Sequence, residues 1–459
     1  MNEVAGLFGT DGVRGVANVE LTPELAFRLG RAGAAVLAGA GLGAERKHVI
    51  VGRDTRRSGS LLQSALAAGI ASAGLDVQLV GVVPTPGVAY LTRSTKAAFG
   101  VMISASHNPP EDNGIKFFSG DGFKLEDDEE ARIEELILNG KGFAVDADDG
   151  LPRPSAGQVG EVVGAEHLVE RYTAYLEQVA GVRLDGMRIV VDCANGAAVP
   201  VAPVVLRRLG AEVIALCDET DGLNINVGCG STNPEALQKA VVEHGADVGI
   251  AHDGDADRVI MVDEQGRLVD GDVILAVCGL HLHRRGRLAG GAVAATVYSN
   301  LGLKLALEQG GARMVETPPG DRYVLQAMRS HGLVLGGEQS GHIIFLEYNT
   351  TGDGVLSALQ VLRVMREEGK PLSELARRLT PVPQLLVNVP VRDKSLFSAN
   401  GAIGAAIDAA RAELGDSGRL FVRPSGTEPL IRVMGESTDE AKLREVVHRV
   451  ADLIKAELG

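Results

Sequence analysis

Apolar and polar positions along the chain predict strands and helices that follow one another in turn. Residues 48–52 form a short apolar run, and a polar turn, an Ala- and Leu-rich helical stretch and a second apolar run follow it. This order predicts a βαβ unit. The pattern returns at 187–217 and 292–317, so we predict three related α/β domains. A glycine ends the helical stretch in each unit: Gly74, Gly210 and Gly311.

Stretches without hydrophobic periodicity predict where domains end. Residues 139–160 mix glycine, proline and acidic residues, and residues 371–385 carry prolines around a short helical pattern. The chain beyond them reads as a smaller α+β domain with a closing amphipathic helix. We therefore predict four domains, at residues 1–155, 156–257, 258–373 and 374–459.

Composition and charge exclude several classes of function. At 459 residues the chain is too long for one hydrophobic core, and its apolar fraction of 45% is typical of soluble proteins. The net charge of −15 would repel a nucleic-acid backbone, and aromatic residues, at 3%, are too few for base-stacking platforms. No apolar run reaches the roughly 18 residues of a membrane span, and no signal peptide is indicated. We predict a cytoplasmic protein without nucleic-acid or membrane partners.

The four cysteines stand far apart in the sequence and lack CxxC spacing. This spacing predicts neither a zinc site nor a disulfide framework. We interpret them as small buried residues of a reducing compartment: Cys193, Cys217, Cys229 and Cys278.

A first candidate site follows the apolar run that ends near residue 103. Ser106 and His107 stand before Asn, two prolines and Asn-Gly, which favour a turn, so we expect Ser106 on a loop at a strand end. The alternative is that Ser104 and Ser106 only support the turn. Adjacent side chains on an extended chain point apart, so no hydrolase-like dyad of Ser106 and His107 is predicted. Lys116, at the end of the same loop, is the nearest expected cation.

A second candidate site is the acidic stretch Asp253, Asp255 and Asp257 between two apolar runs. Alternation on an extended turn points the three carboxylates the same way, and such oxygen ligands suit Mg²⁺ or Ca²⁺. An EF-hand is disfavoured because its sixth position holds Arg258 and its flanks read as strands. A haloacid-dehalogenase-type loop is disfavoured by Asp257. A solvated acidic turn is the remaining alternative.

Three further loops carry polar side chains among glycines. Residues 423–432 place two arginines around small hydroxyl residues, as a phosphate-binding loop would, although a plain hairpin would look similar. Residues 336–342 offer an acid, an amide, a hydroxyl and an imidazole, which suit sugar hydroxyls. Residues 9–15 supply Arg14 on a flexible loop, and residues 320–322 add a charged turn.

Taken together, five motifs in this order resemble the α-D-phosphohexomutase family. They are FGTDGVRG (8–15), ISASHNP (103–109), DGDADR (253–258), GGEQSGH (336–342) and RPSGTEPLIRVM (423–434). The resemblance covers nearly the whole chain. It implies an α/β fold with four domains around a central cleft, three related mixed α/β domains and a C-terminal α+β domain. The three predicted βαβ units agree with it independently.

The resemblance implies a phosphoserine enzyme that moves a phosphate between two positions of one sugar. Ser106 would carry the phosphate, with a sugar 1,6-bisphosphate as intermediate and activator. One Mg²⁺ per chain would be held by Ser106, Asp253, Asp255 and Asp257. Arg14, His107 and Lys116 would assist catalysis, while the general base stays open. The implied substrate-binding residues are Glu338, Ser340, His342, Arg322, Arg423, Ser425, Gly426, Thr427 and Arg432.

The implied reaction converts glucosamine 6-phosphate into glucosamine 1-phosphate, which supplies UDP-N-acetylglucosamine and cell-wall precursor synthesis. The small-molecule partner would thus be a hexosamine phosphate, and the protein would be a monomer or a homodimer. Two alternatives remain. One is a phosphomannomutase or phosphoglucomutase, and the other is a phosphosugar-binding regulator without turnover.

Overall fold

The computed structural model describes residues 6–9, 11–38, 48–139, 151, 153–397, 401–425 and 429–459. These residues form four sheets and fall into two compact units. The first unit comprises residues 1–297 and 315–376, and the second comprises residues 298–314 and 377–459. Four sheets with flanking helices confirm the predicted α/β class.

The first sheet has six strands in the order β1-β5-β4-β2-β3-β6, and all belong to the first unit. They are β1 (Val13–Val16), β2 (His48–Arg53), β3 (Asp76–Val82), β4 (Phe99–Ile103), β5 (Asp112–Ser119) and β6 (Val162–Gly164). Its helices are α1 (Pro23–Leu37), α2 (Arg57–Ser72), α3 (Thr85–Thr95) and α4 (Asp127–Asn139). Strand β2 runs parallel to β3 and β4, as the βαβ prediction requires. Gly74 follows α2 with a φ of +94°, a conformation that favours glycine at a helix end.

The second sheet has five strands in the order β11-β10-β9-β7-β8. They are β7 (Arg188–Asp192), β8 (Glu212–Leu216), β9 (Val248–His252), β10 (Val259–Asp263) and β11 (Leu268–Val269), with helices α5 (Val169–Ala180), α6 (Ala202–Arg208) and α7 (Glu235–Glu243). The acidic stretch joins β9 to β10, which pair in antiparallel fashion as the flanking apolar runs predict.

The third sheet has four strands in the order β13-β12-β14-β15. They are β12 (Ala292–Thr296), β13 (Arg313–Thr317, whose last three residues belong to the first unit), β14 (Leu335–Gly337) and β15 (Ile343–Phe345). The helices of the first unit in this part of the chain are α8 (Gly271–Arg284), α10 (Asp321–His331), α11 (Gly354–Glu368) and α12 (Leu372–Ala376). Residues 338–342 thus join β14 to β15, whereas Gly336 and Gly337 of the predicted loop belong to β14.

The second unit contains a three-stranded antiparallel sheet in the order β16-β18-β17. Its elements are α9 (Leu301–Gln309), β16 (Gln384–Pro390), α13 (Gly401–Leu414), β17 (Gly418–Pro424), β18 (Leu430–Ser437) and α14 (Glu440–Leu458). Helices α13 and α14 cover the sheet and share one apolar core with it, including Ile403, Ile431 and Val447. This agrees with the predicted α+β character.

Two sheets extend across predicted domain boundaries. Strand β6 pairs with β3 although it lies beyond residue 155. Strand β10 pairs with β9 although it lies beyond residue 257. Backbone pairing between distant strands decides where a sheet ends, and loop composition does not reveal that pairing.

Candidate active site

Ser106 lies on the loop that follows β4, as predicted, and its backbone is strained. Its φ is +53°, in the left-handed region that residues with a side chain rarely adopt. The Ser106 N–H donates to the Ser104 Oγ at 2.9 Å. Both serines are buried. Ser104 therefore supports the turn, while the hydroxyl of Ser106 points elsewhere.

Two side chains from different parts of the chain hold the peptide groups of this loop. The carbonyl of Ser106 accepts hydrogen bonds from Arg56 Nη2 at 3.2 Å and from Asn226 Nδ2 at 2.9 Å. The same two nitrogens donate to the carbonyl of Asn108 at 2.6 and 3.0 Å. Arg56 is fully buried and forms an ion pair with Asp54. The strained loop is thus fixed from both sides, and sequence patterns gave no role to Arg56 or Asn226.

The hydroxyl of Ser106 faces the acidic stretch. It donates to Asp253 Oδ2 at 2.6 Å, and the Nδ1 of His107 lies 3.4 Å from the same oxygen of Ser106. The expectation that the side chains of Ser106 and His107 point apart was wrong. It assumed an extended backbone, whereas the positive φ of Ser106 turns the two side chains toward one another.

The three aspartates form a buried cluster. Asp253, Asp255 and Asp257 are 1%, 0% and 3% exposed, and each offers an oxygen within 4.8 Å of the others. Among the described residues, Asp255 Oδ1 and Asp257 Oδ1 are buried without a hydrogen-bond donor. Such oxygens are costly to bury alone, and they are the ligands that Mg²⁺ prefers. The cluster therefore fits a divalent cation, and a solvated acidic turn is excluded by the burial.

Electrostatics within this cluster differ between its members. Burial raises the pKa of Asp253 well above its usual value, and the neighbouring carboxylates of Asp255 and Asp257 raise it further. Burial would also raise the pKa of Asp255, but the ammonium group of Lys116 and the hydroxyl of Thr85 lower it overall. Both groups bond to Asp255 Oδ2, at 2.9 and 2.7 Å. Asp255 is thus a fixed anion.

A chain of alternating charges leads away from Asp255. The Lys116 Nζ lies 2.9 Å from Asp255 Oδ2 and 2.8 Å from Asp11 Oδ2. The Lys124 Nζ lies 2.6 Å from Asp11 Oδ1 and also pairs with Asp321. Burial would lower the pKa of Lys116, yet the two aspartates beside it raise that pKa above its usual value. Lys116 is therefore a permanent cation.

Only some members of this row of alternating charges could be predicted from the sequence. Lys116 lies within β5 and not on the loop where it was expected, because β5 begins at Asp112. Asp11 and Asp321 stood in two of the glycine-containing motifs without a role. Lys124 was missed, and nothing in its local sequence marks it as buried.

His342 lies between Asp321, at the end of this row of charges, and Asp257 of the acidic cluster. Its Nδ1 lies 3.5 Å from Asp257 Oδ2, and its Nε2 accepts a hydrogen bond from the Gly352 N–H at 3.1 Å. Burial lowers the pKa of His342, but Asp257 and Asp321 raise it above its usual value overall. The imidazole is therefore anchored to the acidic stretch.

A cavity of about 630 Å³ opens beside this cluster within the first unit. Arg14 and His107 line it, as do Glu338 and His342 from the loop at residues 336–342. Other polar residues in its wall are Asp11, Lys124, Asp257, Arg258 and Asp321. Four of the predicted catalytic and substrate-binding side chains therefore meet at one cavity.

Two predicted substrate-binding residues lie elsewhere in the first unit. Ser340 is exposed and does not line the cavity. Arg322 lines an adjoining cavity of about 530 Å³, whose wall shares Lys124, Asp321 and His342 with the first, and it pairs with Asp127 and Glu130 of α4. Arg322 is the second residue of α10, which begins at Asp321. The motifs at residues 336–342 and 320–322 therefore contribute only some of their polar side chains to the cavity beside the acidic cluster.

The predicted phosphate-binding loop belongs to the second unit and joins β17 to β18. Arg423 and Arg432 stand directly opposite one another on these strands. The Arg423 guanidinium is exposed and lies 4.9 Å from the ring centre of Tyr298. Ser425 is buried, and its carbonyl accepts from Lys394 Nζ at 2.8 Å. Gly426 and Thr427 lie outside the described residues.

A buried serine that faces a carboxylate cluster, with fixed cations beside it, has the groups that a phosphoryl-transfer enzyme requires. Family models for phosphoglucomutase/phosphomannomutase match the chain in four segments. Their α/β/α domains I, II and III match residues 5–142, 170–266 and 270–382, and their C-terminal domain matches 386–453. The chain belongs to the phosphoglucomutase/phosphomannomutase family.

Relatives and solved structures agree with this assignment. The chain is 56% identical over 458 residues to a phosphoglucosamine mutase of Heliobacterium modesticaldum, covering 98% of this chain and 99% of that one. A phosphoglucomutase/phosphomannomutase family protein from Burkholderia thailandensis superposes with a TM-score of 0.80 at 25% identity, over 99% and 98% of the two chains. The Aspergillus fumigatus N-acetylphosphoglucosamine mutase, in complex with GlcNAc-6P and magnesium, shares the fold, with a TM-score of 0.68 at 20% identity over 98% and 95%. No helix among the described residues is long and apolar enough to cross a membrane.

Proposed function

We propose that the protein is a phosphoglucosamine mutase that interconverts glucosamine 6-phosphate and glucosamine 1-phosphate. The observation that carries this proposal is the hydroxyl of Ser106, buried and 2.6 Å from Asp253 in the acidic cluster. The full-length similarity to phosphoglucosamine mutases supports the choice of substrate over mannose or glucose phosphates. Ser106 would carry the transferred phosphoryl group, and a sugar 1,6-bisphosphate would be the intermediate and the activator.

Asp253, Asp255 and Asp257 would hold one Mg²⁺ together with the phosphate on Ser106. When bound, the cation supplies positive charge to a transferring phosphoryl group. The unpartnered oxygens of Asp255 and Asp257 support this assignment. Asp253 contributes differently, because its carboxylate already accepts the Ser106 hydroxyl and thereby orients it.

Lys116 and Arg14 would stabilise negative charge near the reacting oxygen. Lys116 is held between Asp255 and Asp11, so it acts as a fixed cation and is a poor general base. Arg14 pairs with Asp11 and reaches the carbonyl of Ala105 at 3.4 Å, next to Ser106. His107, which lies beside the Ser106 hydroxyl, would orient the phosphoserine.

Recognition of the sugar and of its second phosphate would use separate groups. Glu338 and His342 line the cavity next to the cluster, so they are our candidates for binding the sugar. Ser340 and Arg322 do not line this cavity, and Arg322 would reach the substrate from the adjoining one. The second phosphate would be bound by the loop of the second unit, through Arg423, Ser425, Gly426, Thr427 and Arg432.

An intact-mass measurement tests the phosphoserine. After incubation with glucose 1,6-bisphosphate, the protein should gain about 80 Da, the mass of one phosphoryl group. Ser106→Ala should lose this species, while Ser104→Ala, a matched change two residues away, should keep it. A protein that never gains this mass would contradict the proposal and favour a phosphosugar-binding regulator.

The substrate is tested by comparing kcat/KM for glucosamine, glucose and mannose phosphates. We expect glucosamine 6-phosphate to be preferred by at least about tenfold, which corresponds to about 1.4 kcal/mol in transition-state binding. A preference for mannose 6-phosphate or glucose 6-phosphate would replace this proposal with a phosphomannomutase or phosphoglucomutase.

A further inference from the structure

A second cluster of reactive side chains lies at the ends of β7 and β8, outside the site described above. Asp192 ends β7, Cys217 follows β8, and Cys229 lies on the segment that leads to α7. The two sulfur atoms and a carboxylate oxygen of Asp192 lie within 4.8 Å of one another. The interpretation of all four cysteines as buried is therefore wrong for Cys217, which is partly exposed. The parallel pairing of β7 and β8 places Asp192 beside Cys217, and the loop between β8 and α7 brings Cys229 to them.

The two thiols differ in their surroundings. Cys229 is 1% exposed, whereas Cys217 is partly exposed and can be reached by a small solute. A hydrogen bond from Cys229 lowers the pKa of Cys217, which opposes the effects of burial and of Asp192. A reachable thiol beside a buried one is the arrangement of a dithiol in which the first attacks and the second resolves.

Backbone groups hold the carboxylate of this cluster, and the side-chain amide of Asn195 donates to the Cys229 sulfur at 3.8 Å. Asp192 accepts hydrogen bonds from the N–H groups of Ala194 and Gly230, each at 2.9 Å. Gly228 and Gly230 flank Cys229 with φ of +62° and +75°. A disulfide needs the sulfur atoms to approach to about 2 Å, and a pair already within 4.8 Å requires only local adjustment.

We propose that Cys217 and Cys229 form an oxidisable dithiol, which a small-molecule disulfide such as oxidised glutathione converts into an intramolecular disulfide. The Cys217 thiolate attacks one sulfur of the reagent, and the first glutathione leaves as a thiol. The Cys229 sulfur then attacks Cys217, and the second glutathione leaves as a thiol. The protein loses two electrons and two protons, and the reagent gains them.

The segment that carries Cys229 also carries a support of the serine loop. Asn226 donates its N–H to Ala194 at 2.9 Å and its side chain to the carbonyl of Ser106 at 2.9 Å. A bond between Cys217 and Cys229 moves Cys229 toward Cys217, and because Asn226 lies on the same segment we expect its contact with the carbonyl of Ser106 to shift. Oxidation therefore lowers turnover, a consequence that rests on the proposed function.

The test treats the full-length, Mg²⁺-supplied protein with oxidised glutathione and measures its mass and peptide map without reduction. We expect a loss of about 2 Da and one linked peptide pair that joins Cys217 to Cys229. Cys217→Ser should abolish the linkage, and Cys193→Ser, at a neighbouring buried thiol, should keep it. A persistent glutathione adduct on Cys217, a linkage through another cysteine, or no reaction would each overturn the dithiol.

Activity of the same samples tests the coupling to Ser106. The bridged protein should show a several-fold lower kcat, dithiothreitol should restore it, and Cys217→Ser should be insensitive to the oxidant. Bridged protein with unchanged kcat would overturn the coupling. A protein that is inactive before oxidation, yet forms the bridge, would count against the proposed function and not against the dithiol.

Discussion

The serine and acidic-cluster region of the first unit and the phosphate loop of the second unit are built in opposite ways. Around Ser106, charged groups are buried and each is held by partners from distant parts of the sequence, such as Asp255 with Lys116. In the second unit, Arg423 and Arg432 belong to one hairpin, and Arg423 is exposed. One region buries its charges in pairs, and the other presents an exposed arginine on a hairpin.

This difference suggests that the two regions serve different steps, catalysis and substrate binding. A phosphoryl transfer needs reacting groups fixed before the substrate arrives, and buried paired charges provide that rigidity. Two like charges directly opposite on a hairpin are unfavourable until an anion lies between them. The buried region should therefore control kcat, and Arg423, the exposed arginine of the hairpin, should control KM. The following changes test this contrast, beginning with the largest expected effect.

Asp255→Asn should have the largest effect. It removes a carboxylate charge from the proposed Mg²⁺ site and a partner of Lys116, so kcat should fall by about a thousandfold or more. Initial rates over a Mg²⁺ titration would measure it. Asp263→Asn is a matched control, since Asp263 is a buried carboxylate that pairs with Arg267 and should leave the Mg²⁺ dependence intact. Unchanged kcat in Asp255→Asn would remove the metal assignment.

Lys116→Met should lower both activity and stability. It leaves Asp255 and Asp11 without their shared cation, and breaking a buried ion pair costs about 3–5 kcal/mol. We expect kcat to fall by about a hundredfold, and urea unfolding should show the loss of stability. Arg208→Met is the control, because Arg208 pairs with Glu170 at the surface and its loss should leave the urea unfolding midpoint nearly unchanged. If both variants behave alike, the buried chain of charges has no special role.

Asn226→Ala should have an intermediate effect. It removes one of the two side chains that bind the carbonyl of Ser106 and so hold its strained backbone. We therefore expect kcat to fall by about tenfold with little change in KM. Steady-state kinetics would measure both constants, and Asn233→Ala, at a partly exposed position, would serve as the control. A change in KM alone would mean that the serine loop is not fixed by this contact.

Arg423→Lys should have the smallest effect and should appear in KM. The charge remains, but the planar fork that can bind two phosphate oxygens is lost, so KM should rise by a few-fold to about tenfold at unchanged kcat. Kinetics at two salt concentrations would measure it. Arg419→Lys is unsuitable as a control because Arg419 pairs with buried Glu436, so Arg444→Lys on the surface of α14 is preferable. A fall in kcat would contradict the assignment of Arg423 to substrate binding and of kcat to the buried region.

Local patterns were sufficient where a residue's role depends on its neighbours in sequence. The alternation of apolar runs and turns predicted β2, α2 and β3 and the two strands around the acidic stretch. Alternating aspartates at 253–257 marked a cation site because spacing alone brings their carboxylates together. Ser106 could be placed on a loop because the residues after it cannot continue a strand or helix.

The tertiary structure alone decided what surrounds these residues. Lys124 pairs with Asp11 across 113 residues, and Asn226 reaches Ser106 across 120 residues. Cys217 and Cys229 are likewise brought together by the fold, through the loop between β8 and α7. Charge and thiol pairs of this kind depend on which strands are neighbours in a sheet, and periodicity within one segment carries no information about its neighbours in space. The sequence by itself therefore identified the candidate reactive groups, and the fold determined which of them are fixed, paired or buried.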